Sequence, residues 1–105
     1  MVKQLYSQRR VEHLIRLVKK GDASSLAQLR QELDKTQKEI AAEIGISERR
    51  FGRWERGEEE PSGRYYARWR LKLSYYIDDI IAEFLGTKDS EIVTHYWELM
   101  WGLVD

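Results

Sequence analysis

Residues 48–56 read Glu-Arg-Arg-Phe-Gly-Arg-Trp-Glu-Arg, which puts four arginines into nine positions. Guanidinium is a planar, permanently charged fork suited to bidentate bonds with phosphate oxygens or with the O6/N7 edge of guanine. On a helix, Phe51 and Trp54 fall three apart on one face, leaving Glu48, Arg49, Gly52, Arg53 and Arg56 on another, while Arg50 points off to one side. Gly52 removes a side chain where a backbone must approach a partner surface. Upstream, Gln37 opens a second short helix, where its amide and the free backbone N–H groups can hold a phosphate. The chemistry these types and spacings suit is anion binding combined with reading of base edges.

Catalytic chemistry finds little footing. The histidines are His13 and His95, and neither has a nucleophile context or a glycine-rich phosphate loop beside it. Glu91, His95 and Glu98 can share a helix face, yet a single histidine among aromatics is more often a core or rim residue than a ligand. The chain has no cysteine, which removes disulfides and thiolate metal sites. The expectation is therefore no enzyme, no cofactor and no metal.

The elements that must position the arginines read as helices almost throughout. Thr36 and Glu39 form a capping box that starts a helix at Gln37. Gly45 ends it, and Ser47 can cap the next helix, which runs to Gly57. Ile40, Ala41 and Ile44 line the inner face of the first, Phe51 and Trp54 that of the second, and Ile46 plugs the turn. Before this pair, Val11, Leu14, Ile15 and Val18 predict a basic helix from about Val2 to Lys20. The break at residues 21–25 ends in capping serines, and a helix with Leu26, Leu29 and Leu33 follows. After the pair, Ser62 can cap a long helix toward Gly86 with a bend or break near Ser74, and Ser90 can cap a last helix. No alternating strand pattern is present.

At 105 residues, with 42% apolar and 34% charged residues, the chain fits one all-α domain. No apolar run exceeds three residues, so neither a membrane span nor a signal sequence is expected and the reading is cytoplasmic. The net charge of zero hides a split. Residues 1–72 carry 17 Lys and Arg against 11 Asp and Glu, whereas residues 73–105 carry one basic residue against seven acidic ones. A basic anion-binding body with an acidic end facing away from it fits this pattern.

The segment resembles the helix-turn-helix of the Cro/C1-type, phage repressor-like regulators. Their pattern of Gln, Ala, Gly, a bulky apolar residue and Trp falls here on Gln37, Ala41, Gly45, Phe51 and Trp54. Glu55-Arg56-Gly57 and Pro61-Ser62 extend the likeness, which covers about residues 25–80. The resemblance implies a repressor-like five-helix core, double-stranded DNA binding and a homodimer on a two-fold operator. It also implies base contacts from Glu48, Arg49, Gly52 and Arg53, and phosphate contacts from Gln37 and Arg56, to which Arg50 is added. Glu48 stands where such regulators often carry Gln. It either favours the helix dipole or accepts from cytosine N4.

Residues 1–21 and 87–105 lie outside the shared core and are read as an extra basic helix and an aromatic helix flanking a core at 22–86. The aromatic end exceeds what so small a core can hide. Tyr96, Trp97, Met100 and Trp101 are therefore assigned to a dimer or partner surface, with a small-effector pocket as the lesser alternative. The expected function is a sequence-specific transcriptional regulator with residues 48–56 in the major groove of a pseudo-palindromic site. The alternative is an antitoxin-type or adaptor protein that binds a protein partner through its C-terminal aromatic segment, with DNA binding secondary.

Overall fold

A computed structural model describes residues 6–105. Six helices follow one another: α1 (Gln8–Lys20), α2 (Ala23–Glu32), α3 (Gln37–Ile44), α4 (Glu48–Glu55), α5 (Gly63–Leu85) and α6 (Ser90–Leu103). No described residue lies in a strand, so the architecture is all-α as expected. Among the described residues no helix is long and apolar enough to cross a membrane.

Several boundaries differ from the sequence reading, each for a local reason. The expected helix start at Val2 lies outside the described residues. α1 itself begins at Gln8, because the Ser7 hydroxyl accepts from the Arg10 amide at 3.2 Å. α2 is capped by Asp22 in place of Ser24 or Ser25, its carboxylate accepting from the Ser25 amide at 2.7 Å. Asp89 likewise displaces Ser90 as the cap of α6. α5 does not break at Ser74, whose hydroxyl donates back to the Arg70 carbonyl at 2.9 Å within the continuous helix. Residues 22–86 consequently hold four helices, the long α5 among them.

One hydrophobic cluster joins all six helices. α5 is its spine: Trp69, Leu73, Ile77 and Ile81 are fully buried in the cluster that also holds Leu14 and Ile15 of α1 and Leu26 and Leu29 of α2, with α5 packed on α1, α2 and α3 and, through Trp69 and Phe51, on α4. α1 packs on α2, α5 and α6, and so connects the C-terminal helix to the rest. Polar contacts fix that connection. The Lys19 ammonium donates to the carbonyls of Trp101 at 2.6 Å and Val104 at 2.8 Å, at the C-terminal end of α6. Arg70 does the same for α1, donating from Nε to the Val18 carbonyl at 3.1 Å. Cations placed on free carbonyls at helix ends satisfy orphan acceptors and complement the helix dipole. Lys19, Arg70 and Arg10 (which pairs with Glu32) are thus structural cations and not merely a solvated basic face.

α6 folds back on α5 through Val93, Met100, Tyr96 and Trp97, with the Trp97 indole donating to the Asp78 carboxylate. Burial pushes the Asp78 carboxyl above its ordinary range, although that hydrogen bond opposes the shift.

Candidate nucleic-acid interface

The turn between α3 and α4 follows from four residues. The reciprocal capping box of Thr36 and Glu39 starts α3, with bonds of 3.0 and 3.1 Å. Gly45 takes φ 85°, a left-handed conformation a side chain would strain, and its amide donates to the Ala41 carbonyl at 2.9 Å. The Ser47 hydroxyl then caps α4 by accepting from the Arg50 amide at 3.1 Å. Ala41 is 1% exposed, and its small side chain lets the two helices cross closely.

The back of α4 is locked by aromatic packing. Phe51 meets Trp69 of α5 edge-on at 5.0 Å between ring centres, and Trp54 lies 5.9 Å from Tyr65. Phe51 and Trp54 are both fully buried, so they aim the helix and do not touch a ligand. α3 is tied to α5 by the Tyr76 hydroxyl, which donates to Glu43, and Lys35, just before the α3 cap, lies over the Tyr76 ring at 4.3 Å. That hydrogen bond, helped by burial, pushes the Tyr76 phenol up to about 12, so it stays a donor.

A polar lock holds the C-terminal end of α4. Arg30 of α2 reaches Glu55 through Nε at 2.7 Å and Nη2 at 3.0 Å, and its Nη1 donates to the Lys35 carbonyl at 2.7 Å. Gln37 donates its amide to Glu55 Oε1 at 2.8 Å. Arg30 and Glu55 thus bind α2, the start of α3 and the end of α4 into one unit. Sequence reasoning missed this pair. The available signal was Arg30 on the ridge defined by Leu26, Leu29 and Leu33, where an unpartnered charge is not sustainable.

Outside this frame the arginines are unequal. Glu48, Arg49, Arg50, Arg53 and Arg56 are all exposed. Arg49 has no ion pair among the described residues. Arg50 uses both Nε (3.3 Å) and Nη2 (3.2 Å) on Glu59 Oε1, and its guanidinium lies 5.7 Å from the Trp54 ring. Arg53 Nε stands 3.6 Å from Glu59 Oε2, and Arg56 Nε donates to Glu58 Oε2 at 2.7 Å. Glu58 and Glu59, which follow α4, therefore turn back onto its arginines. Gly52 is buried beneath the side chains of Gln37 and Arg56; a Cβ there would meet Arg56 Nη1 at 3.1 Å.

The C-terminal residues assigned to a partner surface separate as well. Met100 is in the core, 5% exposed, and Tyr96 and Trp97 are half-buried against it, while Trp101 keeps an exposed flank. The apolar side chains that α6 turns outward are Ile92, Leu99 and Leu103. Apolar and aromatic residues are spread around much of this helix, so periodicity could not say which face turns in. Glu91, His95 and Glu98 are exposed on the same helix, and no three His, Asp or Glu among the described residues gather as a metal site. His13 is engaged by Glu32 at 2.8 Å.

Residues 26–69 match the helix-turn-helix family, a span that runs from Leu26 of α2 to Trp69 of α5. No curated protein and no solved structure matches the chain.

Proposed function

We propose, for a chain whose residues 26–69 match a helix-turn-helix family, that it is a sequence-specific double-stranded DNA-binding transcriptional regulator of the Cro/C1 type. One observation carries the reading: a short helix whose back is fixed by Phe51, Trp54 and Glu55 turns Glu48, Arg49 and Arg53 outward together. That is the arrangement a major groove requires of a recognition helix. Arg49 and Arg53 read base edges, with Glu48 at the helix start. Gly52 lets Gln37 and Arg56 lie close over the helix, where Arg56 and the N-terminus of α3 meet phosphates. Arg50 is drawn aside by Glu59 and the Trp54 ring and adds a phosphate contact at the flank.

The protein works as a homodimer on a pseudo-palindromic operator, with two copies of α4 spaced about one helical turn, ~34 Å, apart. The exposed row Ile92, Leu99 and Leu103, with the rim of Trp101, supports the dimer surface on α6. The same row favours a second reading, in which α6 engages a different protein and DNA binding is secondary.

Selection of bound duplexes from a random pool tests the regulator reading. An enriched two-fold site supports it, and a pool that stays random after several rounds contradicts it. A stoichiometric protein partner that occupies α6 and excludes self-association would favour the second reading.

A further inference from the structure

The three carboxylates that follow the recognition helix are out of place for a surface meant to meet phosphate. Two of them nonetheless point back to α4. Glu59 stands between Arg50 and Arg53, and its two oxygens do different things. Oε1 takes both Nε and Nη2 of Arg50. Oε2 is shielded from solvent, accepts no hydrogen bond and faces Arg53 Nε at 3.6 Å. A buried, unsatisfied carboxylate oxygen draws the nearest donor toward it.

This geometry holds the two arginines differently. A guanidinium that forks a guanine end-on uses Nη1 and Nη2. Arg50 meets Glu59 along its Nε–Nη2 edge and lies against the Trp54 ring, so it is drawn back onto the protein surface. Arg53 faces Glu59 through Nε alone, and both of its Nη groups remain available. We propose that Glu59 is a positioning residue for DNA reading: it braces Arg53 through Nε so that the end-on fork is presented to the base edge, with Arg50 as its counter-anchor. The inference rests on the DNA-binding reading above.

The brace raises discrimination in two ways. A held guanidinium loses less conformational freedom on meeting the correct base than a free one. The carboxylate also opposes phosphate contacts, which supply most of non-specific binding. Glu59 therefore weakens binding to arbitrary DNA while favouring the duplex that offers Arg53 its partner.

The test uses the full chain, a duplex obtained by selection with the wild type, and a scrambled duplex of equal length at one salt concentration. Glu59→Gln is expected to tighten binding to the scrambled duplex several-fold while the preference for the selected duplex falls by about tenfold, the scale of one misread base pair. Equal tightening on both duplexes overturns the proposal, since Glu59 would then only repel phosphate. In an Arg53→Ala background, Glu59→Gln should leave the preference unchanged; a loss that persists there also overturns it. A readout without DNA separates this inference from the reading beneath it. The Arg53 Nε–Hε proton should exchange more slowly in the wild type than in Glu59→Gln, and identical exchange removes the brace whatever the DNA result. If the wild type selects no site at all, the regulator reading falls, and the positioning role of Glu59 falls with it.

Discussion

Arg30 and Glu55 form a two-point ion pair, Nε to Oε2 at 2.7 Å and Nη2 to Oε1 at 3.0 Å, with side chains only 10% and 5% exposed. It joins α2 to the last turn of α4, and Gln37 completes it from α3. A pair this dry adds little over apolar packing of the same shape, but removing one member leaves an uncompensated charge. Glu55→Gln should therefore destabilise the fold by about 3 kcal/mol in a denaturant titration. An Arg30→Met/Glu55→Leu double change should recover much of that loss. A loss below about 0.5 kcal/mol for the single change would place the pair among ordinary surface bridges.

Gly52 separates helix propensity from ligand geometry. A Cβ there would press on Arg56 Nη1, the far end of a flexible side chain that can swing aside. Gly52→Ala should leave stability unchanged or raise it by up to about 1 kcal/mol, through the better helix former. The displaced Arg56 should weaken binding to all DNA sequences alike. A marked fall in melting temperature would mean that the contact is backbone-tight and the site cannot relax.

Lys19 holds the end of α6 by donating to two carbonyls, those of Trp101 and Val104. Lys19→Met should cost about 1 kcal/mol and raise hydrogen exchange at the Val104 amide, which donates to Met100. Unchanged exchange there would show that apolar packing alone holds the helix.

The cap of α2 gives a pH signature. Its hydrogen bond from the Ser25 amide holds the Asp22 carboxyl below its ordinary value of 3.8. A depressed acid contributes stability that is present above its unfolded value and lost as pH falls through the folded one. Asp22→Ala should cost about 1 kcal/mol near neutral pH. Thermal melts of the two proteins should converge as acid protonates the cap. A gap that stays constant down to strong acid would make the charge irrelevant.

Much of the interface was legible in the sequence because its determinants are local. Thr36 with Glu39, Gly45, Ser47 and the spacing of Phe51 and Trp54 each act within a few residues, and the structure has them in those roles. What was not legible depends on residues far apart in the chain. Arg30 finds Glu55 25 positions away, and Lys19 caps carbonyls more than 80 positions away. The return of Glu59 to Arg50 depends on the path of the chain through residues 56–62, which composition does not encode. In α6 the difficulty differs: with apolar side chains around most of the helix, only the packing of Val93 and Met100 against the cluster shows that Leu99 and Leu103 face out.

Because Leu99 and Leu103 contribute nothing to the monomer's interior, 54% and 68% exposed as they are, they offer a clean test of assembly. Leu99→Lys/Leu103→Lys should keep the helical fold by circular dichroism and turn the proposed dimer into a monomer in light scattering, with a melting temperature that no longer depends on protein concentration. A persistent dimer would move the interface elsewhere.

Reading of DNA by α4 through Arg49 and Arg53 is open to direct trial by selection from random duplexes, run in parallel with the wild type and Arg53→Ala. The wild type should enrich a pseudo-palindrome, and its affinity should fall steeply with salt. Arg53→Ala should lose preference at one position in each half-site, worth ~1–3 kcal/mol. An identical enriched site from both proteins, or none from the wild type, would refute the assignment of α4 as the reading helix.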